Sequence, residues 1–124
     1  MLQLERVAYP QISVLVDLQG NGSIEIENNY SLNVSYDAAA QKCISSFSVH
    51  SVCNAHPDWF DISVTVRGVF SSNQDINLDD NLNEIRAESY DYLFPYAQAL
   101  VSDLTAKAGS APYLLKKTPM NSDK

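Results

Sequence analysis

Residues 24–36, IEIENNYSLNVSY, alternate between apolar and polar side chains almost without interruption. Because successive side chains of a strand point to opposite faces, this pattern predicts one long antiparallel strand with one face in water. The face predicted to turn away from water carries Ile24, Ile26, Tyr30, Leu32, Val34 and Tyr36. An antiparallel sheet is therefore the basis of the expected fold.

Three further stretches of apolar residues predict three more strands, at Leu2–Leu18, Lys42–Asn54 and Trp59–Ser71. Pro10 marks a kink or an edge position in the first strand, and Gly68 marks a bulge or a close backbone approach in the last. Short connections are expected at residues 19–22, 37–41 and 56–58. The prediction is a four-stranded antiparallel sheet in meander order, at about residues 2–71.

The periodicity becomes helical after Asp75. A first apolar set, Ile76, Leu78, Leu82 and Ile85, predicts a short helix with Asp79 or Asp80 as its cap. Pro95 fits the first turn of a second, long helix that ends at Gly109. We therefore expect one α+β domain, residues 1–124, in which a helical region at about 79–109 packs on the sheet and a segment and tail, 110–124, follow.

Charge and hydropathy exclude several classes of protein. Acidic residues outnumber basic ones 15 to 8, for a net charge of −7, which argues against nucleic-acid binding and against docking on anionic lipid. No stretch approaches the roughly 20 apolar residues of a membrane span, so no membrane insertion is expected. Glu5 and Arg6 interrupt any apolar run at the N-terminus, so a signal peptide is not expected and a cytoplasmic location is.

Residue types that carry chemistry are sparse. Cys43 and Cys53 lie ten residues apart in one predicted strand, about 33 Å when extended, so an intrachain disulfide is not expected. His50, Cys53 and His56 are of metal-ligand type, but strand alternation points residues 50 and 53 to opposite faces, which favours ordinary strand and turn roles. No nucleophile elbow, phosphate loop or dinucleotide motif is present. We expect no enzyme, no metal and no cofactor.

The aromatic content exceeds what so small a domain can enclose, with seven tyrosines, four phenylalanines and one tryptophan. Exposed apolar surface of that kind marks association or ligand contact. The residues alone therefore predict a sheet-plus-helix domain that forms homo-oligomers and binds something apolar.

Residues 93–97, LFPYA, followed by Val101-Ser102-Asp103-Leu104 and Gly109, resemble the helix of the SecB export-chaperone family. Residues 68–70, GVF, resemble the end of that family's fourth strand, and Ile12-Ser13 fits its first strand. The family's proline-containing crossover and its Pro-x-Asn end correspond to residues 111–115 and 119–121. The resemblance covers nearly the whole chain in order and strand count.

What the resemblance implies is an ATP-independent holdase that keeps unfolded polypeptide or preproteins in long apolar grooves. It also implies a dimer of dimers with helices packed between the sheets. By position, the groove would be lined by Tyr113, Leu114 and Leu115, with a floor of Tyr30, Leu32, Val34 and Tyr36, or Phe47. Subunit contacts would come from Tyr96, Leu100, Val101 and Leu104. The alternative for each residue is packing in the core or between subunits.

The sequence departs from the family at two places, and these departures narrow the expected partners and length. Export members contact the SecA motor through acidic residues that flank the Ile-Ser pair, whereas Gln11 and Leu15 flank it here, which argues against SecA as a partner. Export members also continue into a second helix, so a C-terminally shortened member is expected. The rival hypotheses are a dedicated chaperone of a toxin–antitoxin system and a structural or adaptor protein on the same fold.

Overall fold

Four strands and one helix make up the computed structural model, which describes residues 2–18, 20, 23–72 and 77–119. The elements are β1 (Leu2–Val16), β2 (Glu27–Asp37), β3 (Lys42–Val52), β4 (Phe60–Ser72) and α1 (Leu78–Lys107). The predicted turn at 19–22, apart from Gly20, lies outside the described residues, as do Ile76 and the tail from Met120. Ile24 and Ile26 precede β2 but still pack against the core.

The strand order is β1-β4-β3-β2, and all three pairings are antiparallel. The predicted sheet is confirmed, and β2, β3 and β4 do form a meander, but the meander order is wrong for β1, which lies beside β4. The connection at residues 17–26 permits this arrangement, because ten extended residues reach about 33 Å. Crossing three strand spacings requires only about 14 Å. The result is the strand order of a Greek key.

Strand β1 is an irregular edge strand. Its register with β4 shifts between Leu4 and Arg6 and again between Ala8 and Gln11. Pro10 lies within the second shift, where its missing N–H removes no bond from a regular ladder. The expectation of a kink or an edge position at Pro10 is confirmed.

Helix α1 is one element of 30 residues with Pro95 inside it. The predicted division into a short and a long helix is therefore wrong. Leu93 and Ala97 are fully buried on either side of the proline, so packing against the sheet holds both halves in one helix despite the lost N–H. The predicted end is confirmed, since α1 stops at Lys107 and Gly109 adopts a φ of 93°.

Asn77 caps the start of α1, and its side chain accepts a hydrogen bond from the Asp79 amide at 3.0 Å. The prediction of Asp79 or Asp80 as the cap is wrong by a few residues. Both aspartates lie in the first turn instead, where their negative charge complements the positive end of the helix dipole.

The core lies between α1 and one face of the sheet. Phe47 of β3 is fully buried at its centre, with ring centroids 5.5 Å from Tyr30, 5.4 Å from Tyr90 and 6.1 Å from Phe94. A buried hydrogen bond of 2.8 Å also joins the hydroxyls of Ser45 and Ser89 across the interface. Sheet and helix thus meet through aromatic contacts and a satisfied polar pair.

Gly68 of β4 lies in close contact with helix α1, and of the two roles predicted for it the structure shows the close approach and no register shift. A β-carbon there would lie 2.8 Å from Cδ2 of Leu93 and 2.9 Å from the ring of Phe70. Both neighbours are fully buried. A side chain at position 68 would therefore push the helix away from the sheet.

We predict that Gly68→Ala lowers the free energy of unfolding by about 1–3 kcal/mol through overpacking. Chemical denaturation measures the change. In a Leu93→Val background, which shortens the clashing side chain, the same substitution is expected to cost less. An equal cost in both backgrounds would show that the clash with Leu93 is not the cause.

Candidate functional site

The residues after the helix form an irregular strand-like segment that turns back along α1. We call residues 111–119 the C-terminal segment. The Tyr113 amide donates to Oγ1 of Thr105 at 2.8 Å, and Nε2 of Gln98 donates to the Leu115 carbonyl at 2.9 Å. Further on, the Thr118 amide donates to the Tyr90 hydroxyl. The partners step towards the start of the helix as the segment advances, so the segment runs antiparallel to α1.

The other side of the C-terminal segment contacts β2. The Tyr30 hydroxyl donates to the Lys116 carbonyl at 2.9 Å, and the Tyr113 hydroxyl lies 2.8 Å from the Asn28 amide nitrogen. Strand β2 is one edge of the sheet. The segment therefore fills a groove whose walls are α1 and β2, and we call this the α1–β2 groove.

Most of these hydrogen bonds reach main-chain atoms of the segment. Side chains of Gln98, Tyr30 and Tyr90 donate to the carbonyls of residues 115, 116 and 118. The hydroxyl of Thr105 accepts from the amide of residue 113, while itself donating to carbonyls within the helix. Such bonds do not depend on the side chains of the segment, because every residue offers a carbonyl and nearly every residue an amide.

Side chains of the segment alternate between the groove and solvent. Leu115 is buried, and Tyr113 packs its ring edge against Phe60 with centroids 5.5 Å apart. Leu114 points outward and is 68% exposed. Lys117 forms an exposed ion pair of 2.7 Å with Asp91 and lies 5.3 Å from the centre of the Tyr90 ring.

The structure separates the eight residues predicted to bind peptide into three groups. Leu32, Phe47 and Leu115 are buried in the protomer's own core, which is the core-packing alternative for these three predicted groove residues. The physical reason is that the C-terminal segment and α1 cover them. Tyr30, Val34, Tyr36 and Tyr113 are half-buried, and Leu114 is exposed.

The predicted subunit-contact residues are also distributed differently. Val101 is fully buried, and Leu100 and Leu104 pack partly against the core. Val101 lies on the sheet side of α1, since residues four apart share a helix face and Val101 follows the buried Ala97. Tyr96 is 40% exposed and remains available.

Exposed apolar residues outside the predicted peptide-binding and subunit-contact sets lie on β1 and on the helix. Ile12 and Val14 pair with Val64 and Ile62, so they point to the helix side of the sheet, yet they are 48% and 37% exposed. Tyr92 is exposed next to Tyr96 on the helix. The helix contacts the start of β1, where the Tyr92 hydroxyl donates to the Leu2 carbonyl at 3.2 Å, but it leaves Ile12 and Val14 uncovered.

A cavity of about 480 Å³ adjoins the groove between α1 and the C-terminal segment. Its lining residues are Asn83, Arg86, Ala87, Tyr90, Asp91, Lys117, Thr118 and Pro119. The guanidinium of Arg86 is held in place by donation to the Leu32 carbonyl at 2.8 Å. This cavity is large enough for an amino-acid side chain and presents both an aromatic ring and charged groups.

The histidines and cysteines, which are residues of metal-ligand type, each have other contacts and do not form one cluster. His50 lies 2.9 Å from a carboxylate oxygen of Asp61, and His56 stacks on Trp59 at 3.7 Å. Cys43 and Cys53 are free and buried. Within the described ranges, no three His, Cys, Asp or Glu residues converge as metal ligands, and α1 is not apolar enough to cross a membrane.

Comparison with solved structures identifies the fold. The chain resembles Rv1957, a SecB-like chaperone of Mycobacterium tuberculosis solved with a ChAD peptide from the Rv1956 HigA1 antitoxin, with a TM-score of 0.75 and 17% identity over 93% of this chain and 86% of that one. It also resembles a Streptococcus agalactiae protein of unknown function, with a TM-score of 0.56 and 18% identity over 94% and 98%. No family model and no curated protein matches the sequence. The chain has a SecB-like fold, as the residues at 93–97 predicted.

Tyr30 gives the groove a measurable pH dependence. Burial, followed by the nearby Tyr90 and Tyr113, raises the pKa of Tyr30 from its usual 10.0 to about 12. A raised pKa means that the folded state favours the neutral hydroxyl, which is also the form that donates to the Lys116 carbonyl. The stability from this effect is full below pH 10 and is lost as the pH rises to about 12.

We therefore predict that Tyr30→Phe removes an ionisation with a midpoint at about pH 12 from the tyrosinate absorbance titration. The variant is also expected to lose less stability than the wild type between pH 10 and pH 12, as measured by denaturation at each pH. Identical pH profiles for the two proteins would contradict the assignment.

Proposed function

We propose that this protein is a SecB-like cytoplasmic chaperone that binds unfolded polypeptide without ATP. The observation that carries the proposal is the apolar surface left exposed on this fold. Among the residues that the structure describes, eight large apolar ones are exposed: Tyr9, Ile12, Val14, Leu15, Leu82, Tyr92, Tyr96 and Leu114. A surface of this kind on a soluble domain marks a binding site for protein.

Charge supports a preference among clients. Six acidic residues lie on α1 against two basic ones, Arg86 and Lys107, and the whole chain carries −7. Acidic surface beside apolar surface attracts basic, apolar segments and keeps the complex in solution. Unfolded polypeptide with a positive charge is thus the proposed client class.

A dedicated chaperone of one antitoxin is the second candidate, because Rv1957 was solved with a peptide from an antitoxin. General export through SecA has less support. Gln11 and Leu15 pair with Thr65 and Asp61 on the outer face of the sheet, so neither position carries the acid that such a contact uses in export members. A narrow set of clients fits these residues better than general export.

We further propose that the chain assembles as a homo-oligomer, in the dimer-of-dimers manner of the family. Strand β1 supports this, since within the described chain no strand covers its outer edge and four of its side chains are exposed and apolar. Tyr92 and Tyr96 offer a second apolar patch on the helix. An edge strand and an apolar helix patch are the kinds of surface that symmetric subunits bury.

Holdase activity is expected to appear as suppressed aggregation of a chemically unfolded test protein, in the absence of nucleotide. Leu114→Ser, which replaces a leucine that is 68% exposed beside the groove, is expected to weaken suppression severalfold. The matched control is Ile44→Ser, a partly exposed apolar residue on the outer face of the sheet, opposite Val69 and outside the exposed apolar set. Light scattering on each sample records whether the oligomer is intact.

Equal suppression by the two variants would contradict a role for the surface near the groove. A folded oligomer that suppresses no aggregation would exclude the general holdase and leave the dedicated chaperone and the adaptor. Binding of one antitoxin segment, but not of several unrelated unfolded proteins, would then identify the dedicated chaperone.

A further inference from the structure

We infer that the α1–β2 groove is itself a binding site for extended polypeptide, and that the chain's own C-terminal segment occupies it until a client takes its place. This inference rests on the proposed chaperone function and adds to it the site and the form of the ligand. The ligand is an extended main chain that carries apolar side chains at alternate positions and a basic one after them.

The hydrogen bonds of the groove fit any extended chain. Three wall side chains, Gln98, Tyr30 and Tyr90, donate to successive regions of the bound main chain. The Thr105 hydroxyl accepts an amide at the other end of the groove. Because these partners are carbonyls and an amide, a client can make the same four bonds without sharing the segment's sequence.

The side chains of the segment define which clients fit. The groove takes Tyr113 and Leu115, two residues apart, while Leu114 between them points to solvent. Two residues further, Lys117 pairs with Asp91 and lies over the Tyr90 ring. A client with the pattern apolar–x–apolar–x–basic would reproduce each of these contacts. This pattern agrees with the basic, apolar clients that the acidic surface favours.

Occupancy by the segment has two physical consequences. It keeps the apolar walls covered when no client is present, which limits self-association. It also sets a minimum affinity that a client must exceed, because the tethered segment competes for the groove at an effective concentration on the order of millimolar. Only clients that fill the groove better than the segment, or that also contact the exposed residues nearby, displace it.

The test uses Lys117→Ala, which removes the exposed ion pair with Asp91 but leaves the buried Leu115 in place. A looser segment competes less, so the variant is expected to bind a client about two- to fivefold more tightly than the wild type. The control is Lys107→Ala, which removes another exposed lysine–aspartate pair, one that lies within α1 and does not involve the C-terminal segment. Its client affinity is expected to equal that of the wild type.

Hydrogen exchange followed by NMR provides a direct readout of displacement. The probes are a synthetic peptide with the sequence of residues 111–119, APYLLKKTP, and the unfolded test protein of the aggregation assay. Each is expected to speed exchange at the amides of Tyr113 and Thr118, whose hydrogen bonds exist only while the segment is docked. The amide of Val101 in the buried face of α1 is the internal control and is expected to stay protected.

The outcomes separate this inference from the proposed function. Faster exchange at both amides on client binding, with tighter binding by Lys117→Ala, supports displacement. Client binding that leaves both amides protected overturns displacement and leaves the chaperone function standing. Failure of every variant to bind the unfolded protein overturns the chaperone function and this inference together.

Discussion

The close approach of α1 to β4 at Gly68 determines where the rest of the molecule lies. With no side chain at that position, Leu93 packs directly on the strand, and the aromatic contacts around Phe47 follow on β3. A single helix centred on these strands cannot cover a four-stranded sheet to both edges. The two edge strands, β1 and β2, are therefore left with apolar side chains that something else must cover.

The apolar side chains at the two edges of the sheet are covered to different extents. On the β2 side, the C-terminal segment covers the sheet and is held mainly through its main chain. On the β1 side, Ile12 and Val14 stay exposed among the described residues although they face the helix side. We interpret the first edge as the place for a client and the second as the place for another subunit. Both roles follow because one helix leaves apolar side chains exposed at both edges of the sheet.

Much of the fold could be predicted because its elements are long and strongly patterned. The alternation in residues 24–36 predicted β2. The glycine at position 68 indicated a bulge or a close backbone approach in β4. The placement of β1 beside β4 could not be predicted, because a ten-residue connection permits several strand orders. Because of Pro95, two helices were predicted where the structure has one. The burial of Leu93 and Ala97 outweighs the low helix propensity of proline. The groove residues remain a prediction from the family resemblance, and whether Leu32 or Leu115 is open or covered depends on tertiary contacts that no local pattern contains.

The central claim is that unfolded polypeptide binds on the helix side of the sheet. The most direct measurement is a set of intermolecular NOEs between the isotope-labelled protein and an unlabelled unfolded client. The account predicts contacts from client side chains to Tyr30, Phe60 and Tyr90, which line the α1–β2 groove. Contacts confined to the outer face of the sheet, at residues such as Ile44 or Thr65, would contradict it.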